Sequence, residues 1–179
     1  MLIGVNGFKG AGKDTIADYL VAKHNFRKIS FADPLKDLVC KMLEINREDL
    51  ERYKNIDVDV QFRGRPITFR KFLQNLGDGA RDVFGGDFWI EQAIEKISPG
   101  HHYVFSDARY DNELLAIRGY DGYNIQVIRP GVESDGHASE MPPNINYIDY
   151  LIRNDGTPQQ LFAQVEHALT AFAKAKSDG

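Results

Sequence analysis

The chain has 179 residues, 42% of them hydrophobic and 27% charged, with a formal net charge of −4. These values predict one globular domain over 1–179 with a sizeable core, and they exclude a long apolar membrane span and strong non-specific attraction to nucleic acid. A single cysteine, Cys40, excludes an internal disulfide; it falls in an apolar helical pattern that reads as core and fits a cytosolic compartment. Leu2–Asn6 read as an apolar strand rather than a signal peptide. Residues 7–15, GFKGAGKDT, follow as a glycine-rich loop of the form G-x-x-x-x-G-K with Gly7, Gly10, Gly12 and Lys13. A helix then runs to about His24, with Ile16, Ala17, Leu20 and Val21 as its apolar positions.

Further on, a second strand is expected over Phe26–Ala32. Asp33 is expected as N-cap of a helix with Pro34 at its first position and Leu35, Leu38, Val39, Met42 and Leu43 on one apolar face. The charged stretch Asn46–Arg65 reads as a short helix and then irregular chain. Thr68 starts a helix bearing Phe69, Phe72, Leu73 and Leu76, and Asp87 starts another bearing Trp89, Ala93, Ile94 and Ile97, stopped by Ser98-Pro99-Gly100. His102–Ser106 reads as a strand ending at Asp107, a helix spans about Asn112 to Gly119, and Asn124–Arg129 is a further strand. Pro130–Asn146 lacks periodicity and reads as a surface loop or lid. Tyr150–Arg153 is a short last strand; Thr157-Pro158 opens a final helix with Leu161, Phe162, Val165, Leu169 and Phe172 inward and a frayed tail from Lys174. Strand and helix alternate, which predicts a mainly parallel sheet covered on both faces.

The loop at 7–15 carries the most specific chemistry. Its backbone N–H groups can converge on phosphate oxygens, and the following helix adds its positive dipole end. Gly7, Lys9, Gly10, Ala11, Gly12, Lys13, Asp14 and Thr15 form the expected nucleotide-phosphate site, with Lys13 reaching the β- and γ-phosphates. Asp14 stands where most such loops place Ser or Thr; it either helps hold Mg²⁺ through water or simply favours the helix N-terminus. Thr15 would contact a phosphate or a metal-bound water.

Four other segments would surround a cleft at the carboxyl ends of the strands. In SDARYDNE, Asp107 ends a buried strand, where it would hold Mg²⁺ through water or orient a phosphate. Arg109 would stabilise the transferring group, while Glu113 reads as a structural ion pair. In FADPLKD, Asp33 is a cap within reach of substrate, and Lys36 is either a solvated charge or a phosphate ligand. In LQNLGDGARDVFGGDFWI, Gln74, Arg81 and Trp89 suggest an acceptor pocket, with Trp89 either a base platform or core; Arg70 is a weaker phosphate candidate. In the stretch from Arg129 to Thr157, Arg129, His137 and Glu140 are polar lid candidates. Asn154, Gly156 and Thr157 would line the donor base, although a turn and helix cap alone would explain NDGT. His137 has no Cys or His partner at metal-ligand spacing, so zinc is not expected.

In order along the chain, GFKGAGKDT, FADPLKD, LQNLG with the later FW, SDARYDNE with the following VIRPG, and H-x-S-E leading to NDGT resemble the phage deoxynucleoside monophosphate kinases, relatives of the broader nucleoside monophosphate kinases. The resemblance spans about residues 3–162. It implies a P-loop NTPase fold, three-layer α/β/α, with a helical acceptor-binding region over about 46–100 and a lid over about 130–146. It also implies ATP- and Mg²⁺-dependent phosphoryl transfer to a dNMP, dGMP or dTMP among the acceptors, giving ADP and a dNDP for phage DNA replication in the bacterial cytoplasm. Lys13, Asp107 and Arg109 would be catalytic, and Thr15, Asp14 and Asp107 would serve the metal mostly through water. The expected partners are small-molecule substrates, with neither membrane nor direct nucleic acid. Relatives suggest a homodimer, for which the sequence carries no decisive interface signal. Two other readings stay open on the residues alone: a P-loop kinase of another phosphorylated metabolite such as dephospho-coenzyme A, and a non-catalytic nucleotide-binding switch.

Overall fold

The computed structural model describes residues 1–56, 59–62, 64–133 and 143–177. In chain order its elements are β1 (Leu2–Asn6), α1 (Lys13–His24), β2 (Phe26–Ile29), α2 (Asp33–Leu43), α3 (Arg47–Asn55), β3 (Asp59–Phe62), β4 (Arg65–Thr68), α4 (Phe69–Phe84), α5 (Phe88–Ile94), β5 (His102–Phe105), α6 (Asp111–Gly119), β6 (Tyr123–Ile128), a 3-10 turn at Ile145–Tyr147, β7 (Tyr150–Arg153) and α7 (Pro158–Ser177). They form two compact units, one of Met1–Ser30 with Ile97–Gly179, the other of Phe31–Lys96.

The first unit is a five-stranded sheet in the order β2-β5-β1-β6-β7 with every neighbouring pair parallel. Alternation along β1 divides its two faces. Ile3 and Val5 are buried in a core with Ile16 and Leu20 of α1 and Leu161, Val165 and Phe172 of α7. Gly4 points the other way, where a Cβ would collide with Ile117 of α6 and Asn124 of β6. Helices therefore cover both faces, and the expected three-layer parallel architecture is what the chain adopts. α1 ends where Asn25 turns left-handed, at φ 57, and returns its N–H to Leu20 O.

The second unit packs α2, α3 and α4 around Val39, Leu50, Phe69 and Leu73. Gly77 lets α4 approach α2 closely, since a Cβ there would stand 3.1 Å from Leu35 Cδ2. An antiparallel hairpin of β3 and β4 pairs Asp59 with Thr68 and Phe62 with Arg65.

Several sequence expectations need correction. β2 stops at Ile29 rather than Ala32, and α2 starts one residue early, with Ala32 as cap; the Asp33 carboxylate is engaged by Arg47 instead of capping. Leu38 and Met42 of α2 and Val21 of α1 are exposed, so those apolar stripes are narrower than the periodicity implied. Cys40 is only half-buried at the edge of its cluster. The stretch expected to be irregular before Arg65 contains β3. α5 ends at Ile94, before the Ser98-Pro99-Gly100 stop, and α7 continues as helix to Ser177 instead of fraying at Lys174. Among the described residues, no helix is long and apolar enough to cross a membrane.

Candidate active site

β1 delivers the chain into the loop at 7–12, and its shape depends on two glycines. Gly7 has φ 149, and a Cβ there would lie 2.6 Å from Val127 O; Gly12 has φ 110, and its Cβ would strike Asn154 Nδ2. Only a residue without a side chain fits either place. Within the loop Ala11 N–H donates to Phe8 O, 3.0 Å away, and Ala11 itself is buried in the core. Lys13, 8% exposed, opens α1 and donates from Nζ to Gly7 O at 2.7 Å and to Phe8 O at 2.9 Å. Its ammonium thus lies inside the loop formed by the preceding residues, beside the first turn of α1. Lys9, Gly10 and Thr15 are exposed to solvent.

Two distant residues brace this loop. Arg129, just after β6, donates from Nη1 to Gly10 O at 3.2 Å. Asn154, just after β7, donates from Nδ2 to Ala11 O at 2.8 Å, while its own N–H is held by Ile128 O. Thr157 and Gln160 exchange side-chain-to-backbone hydrogen bonds and cap α7. In NDGT, Asn154 meets the loop, and Thr157 acts as a helix cap.

Beside the loop lies an oxygen-rich cluster. Asp14 pairs with Lys28 of β2 at 2.8 Å and lies near Ser106. Burial pushes the Asp14 carboxyl up, but Lys28, with Lys13 and Ser106, outweighs it and holds the group below its ordinary value. Burial likewise lowers Lys28, yet its two carboxylate neighbours, Asp14 and Asp18, leave it raised. Asp107 accepts a short hydrogen bond from Ser30 Oγ, so the ends of β2 and β5 are tied together. Asn6 at the end of β1 donates to Ala108 O at 2.9 Å. Glu113, expected as a partner of an arginine side chain, takes the backbone N–H groups of Arg109 (2.7 Å) and Tyr110 (3.1 Å), fixing the turn that presents Arg109. Buried at the start of α6, it serves as the reciprocal half of a capping box.

Asp14, Thr15, Ser106 and Asp107 are hard oxygen donors, the kind that suits Mg²⁺, which takes one or two carboxylates and completes its shell with phosphate and water. No group of three or more His, Cys, Asp or Glu arranged to hold a metal occurs among the described residues. The donor set therefore fits a metal that arrives with a nucleotide rather than an all-protein cage.

The acceptor candidates lie in the second unit, and most have partners there. Asp33 pairs with Arg47, Lys36 with Glu51 at 2.7 Å, and Arg81 with Asp78 at 3.2 Å. Arg70 donates to Lys54 O at 3.1 Å, and Gln74 is half-buried on α4. Trp89 is 4% exposed and donates its indole N–H to Gly77 O at 2.9 Å, so it packs the junction of α4 and α5. His137 and Glu140 lie outside the described residues. Sequence reasoning missed Lys28, Ser30, Ser106, Asn6 and Arg47. Asn6, Ser30 and Ser106 left a trace in the chain, as polar residues at the carboxyl ends of strands.

A family model described as deoxynucleotide monophosphate kinase matches residues 45–165. A protein of Acanthamoeba polyphaga mimivirus, provisionally named a deoxynucleotide monophosphate kinase, is 32% identical over 182 aligned positions, covering 92% of this chain and 94% of its own. The deoxynucleotide monophosphate kinase of Enterobacteria phage T4 is 24% identical, covering 94% of this chain and 98% of its own. Among solved structures, shikimate kinase from Aquifex aeolicus superposes with a TM-score of 0.50 at 12% identity over 97% of this chain and 98% of that one, a likeness of fold alone. The loop after β1, the parallel sheet and these matches agree: the chain has a P-loop NTPase α/β fold and belongs to the deoxynucleotide monophosphate kinase family, the nucleotide kinases among the phosphotransferases.

Proposed function

We propose that this protein transfers the terminal phosphoryl group of ATP to a deoxynucleoside monophosphate, dGMP, dTMP or a related one, giving ADP and the dNDP in a Mg²⁺-dependent reaction that feeds phage DNA synthesis. The observation that carries the reading is the Lys13 ammonium buried within its own glycine loop at the carboxyl end of a parallel sheet.

Little covalent chemistry is asked of the protein, so its task is positioning and charge stabilisation. The amides of residues 7–13 and Lys13 bind the donor phosphates, exchanging the Gly7 and Phe8 carbonyls for phosphate oxygens at the ammonium. Thr15, Asp14 and Asp107 hold the metal side, mostly through water. When bound, Mg²⁺ neutralises charge on the phosphates. Arg109 and Arg129 stabilise the transferring group, and Asn154, Gly156 and Thr157 face the donor base. In the second unit Lys36 and Arg81, with Asp33, Arg70 and Gln74, hold the acceptor monophosphate, giving up partners such as Glu51 and Asp78 to do so. Trp89 shapes that pocket. A general base is unnecessary, because an acceptor phosphate is already ionised at neutral pH.

The test is ATP consumption by the purified protein with Mg²⁺ and each dNMP and NMP in turn, with the products identified. Formation of the matching dNDP is the expected result. ATP binding with no monophosphate-dependent turnover would overturn the acceptor assignment.

A further inference from the structure

Lys28 has no place in the reaction described so far, yet its position is unusual. It is exposed on β2, and its ammonium is shared between two carboxylates of α1, Asp14 Oδ1 at 2.8 Å and Asp18 Oδ1 at 2.9 Å. Those residues are four apart and so lie one above the other on the same helix face. Their surroundings differ. Asp14 adjoins Lys13 and lies near Ser106, whereas Asp18 stands a full turn farther along α1.

An ammonium and a divalent cation cannot both crowd one carboxylate without strong mutual repulsion. Asp14 therefore turns to a metal more readily if Lys28 withdraws, and a second carboxylate within reach gives the withdrawn ammonium a partner. Asp18 already lies within hydrogen-bond distance, so the transfer needs only rotation of the lysine's terminal bonds, with no backbone movement.

We propose that Lys28 is a resident counter-cation of Asp14 that passes to Asp18 when Mg²⁺-nucleotide enters the loop, so that Asp18 governs how readily Asp14 is released to the metal side. The proposal rests on the assignment of Asp14 to that side. Lys28 and Asp18 are positioning residues that act through Asp14 and touch neither substrate nor metal.

The experiment is a binding measurement on the full chain, requiring no turnover. ATP affinity is measured calorimetrically with Mg²⁺ and with a chelator, and the ratio of the two is compared among the wild type, Asp18→Asn, Lys28→Met and the double variant. Asp18 and Lys28 side chains are 68% and 34% exposed, so circular dichroism should show each variant folded. Asp18→Asn should lower the Mg²⁺ enhancement roughly two- to fivefold, the scale of a partly exposed ion pair. Lys28→Met should raise it, and in the Lys28→Met background Asp18→Asn should have no effect. An Asp18→Asn effect of equal size in both backgrounds would mean general surface charge and would overturn the hand-over, as would no effect in either. A wild-type protein that binds ATP with no Mg²⁺ enhancement would remove the Asp14 assignment itself, and the hand-over with it.

Discussion

Arg129 Nη1 donates to Gly10 O across 3.2 Å, so the residue that follows β6 holds the tip of the loop that follows β1. The two strands are parallel neighbours, with Asn6 in register with Gln126, which places their carboxyl ends side by side. An arginine there can leave the Gly10 carbonyl for a phosphate oxygen without a change of backbone. Arg129→Ala should lower kcat/KM for ATP about 10- to 100-fold, the value of a charge-assisted hydrogen bond. Arg129→Lys should restore only part, because a point charge cannot offer the planar fork. Steady-state kinetics of both variants at varied ATP would decide it; equal rates for arginine and alanine would remove Arg129 from the site.

Lys13→Ala should abolish most transfer while leaving the fold intact. Removing one preorganised charge from a developing phosphoryl transition state costs roughly 10²- to 10³-fold in kcat. The Gly7 and Phe8 carbonyls that now accept from Lys13 lie near the loop surface and can turn to water. Single-turnover assays should be run beside a thermal melt; a folded Lys13→Ala protein with wild-type turnover contradicts the assignment.

The glycine loop, Lys13 and the first strand were legible because each constrains its neighbours at short range. A fixed spacing of glycines, a lysine and a flanking apolar run leaves few alternatives. The strand–helix alternation gave the parallel sheet for the same reason. The hairpin of β3 and β4 was hidden because the segment is charged and, among the described residues, Val60 is the one that packs against the second unit's cluster. The hydrogen bonds that Glu113 accepts from the Arg109 and Tyr110 amides were hidden, because no sequence displays backbone partners. Lys28 was invisible for a different reason: its meaning comes from Asp14 and Asp18 on another element, and pairing between elements is not written in either one.

Glu113→Ala should loosen the turn that carries Arg109, since it deletes the acceptor of two backbone N–H groups at a buried position. The expected loss is about 1–3 kcal/mol of stability. If the turn positions Arg109, kcat should fall more than KM rises, and Glu113→Gln, which keeps an oxygen at the same place, should recover most of both. A variant with lowered stability and unchanged kcat would confine Glu113 to folding.

Asn124 offers a test of the sheet's other face. It is fully buried, donates from Nδ2 to Leu114 O at 2.9 Å and to Tyr147 O at 3.0 Å, and has an Oδ1 with no hydrogen-bond partner. One amide thus ties a carbonyl of α6 to one of the 3-10 turn. Asn124→Ala should cost about 1–3 kcal/mol by removing two buried hydrogen bonds and leaving a cavity. Asn124→Asp should be worse still at neutral pH, because it turns a donor into a buried charge facing two carbonyls. Chemical denaturation of the two variants checks the order; alanine the more damaging of the pair would contradict it.

Glu51 gives the second unit a pH signature. Burial raises its carboxyl, but hydrogen bonds and charge from Lys36 and Lys54 prevail and bring it from 4.5 down to about 2. A folded-state value below the unfolded one means stability that is fully present above about 4.5 and lost as pH falls toward about 2. The side chain is 42% exposed, so solvent screening reduces the contribution to about 1 kcal/mol. Glu51→Gln should therefore be less stable than wild type at pH 7 by about that amount, and the two curves should converge as pH falls through the same window. Denaturation midpoints of both proteins between pH 7 and the acid limit of folding would show it. A difference that persisted unchanged down to that limit would mean that Lys36 and Lys54 do not hold Glu51 ionised.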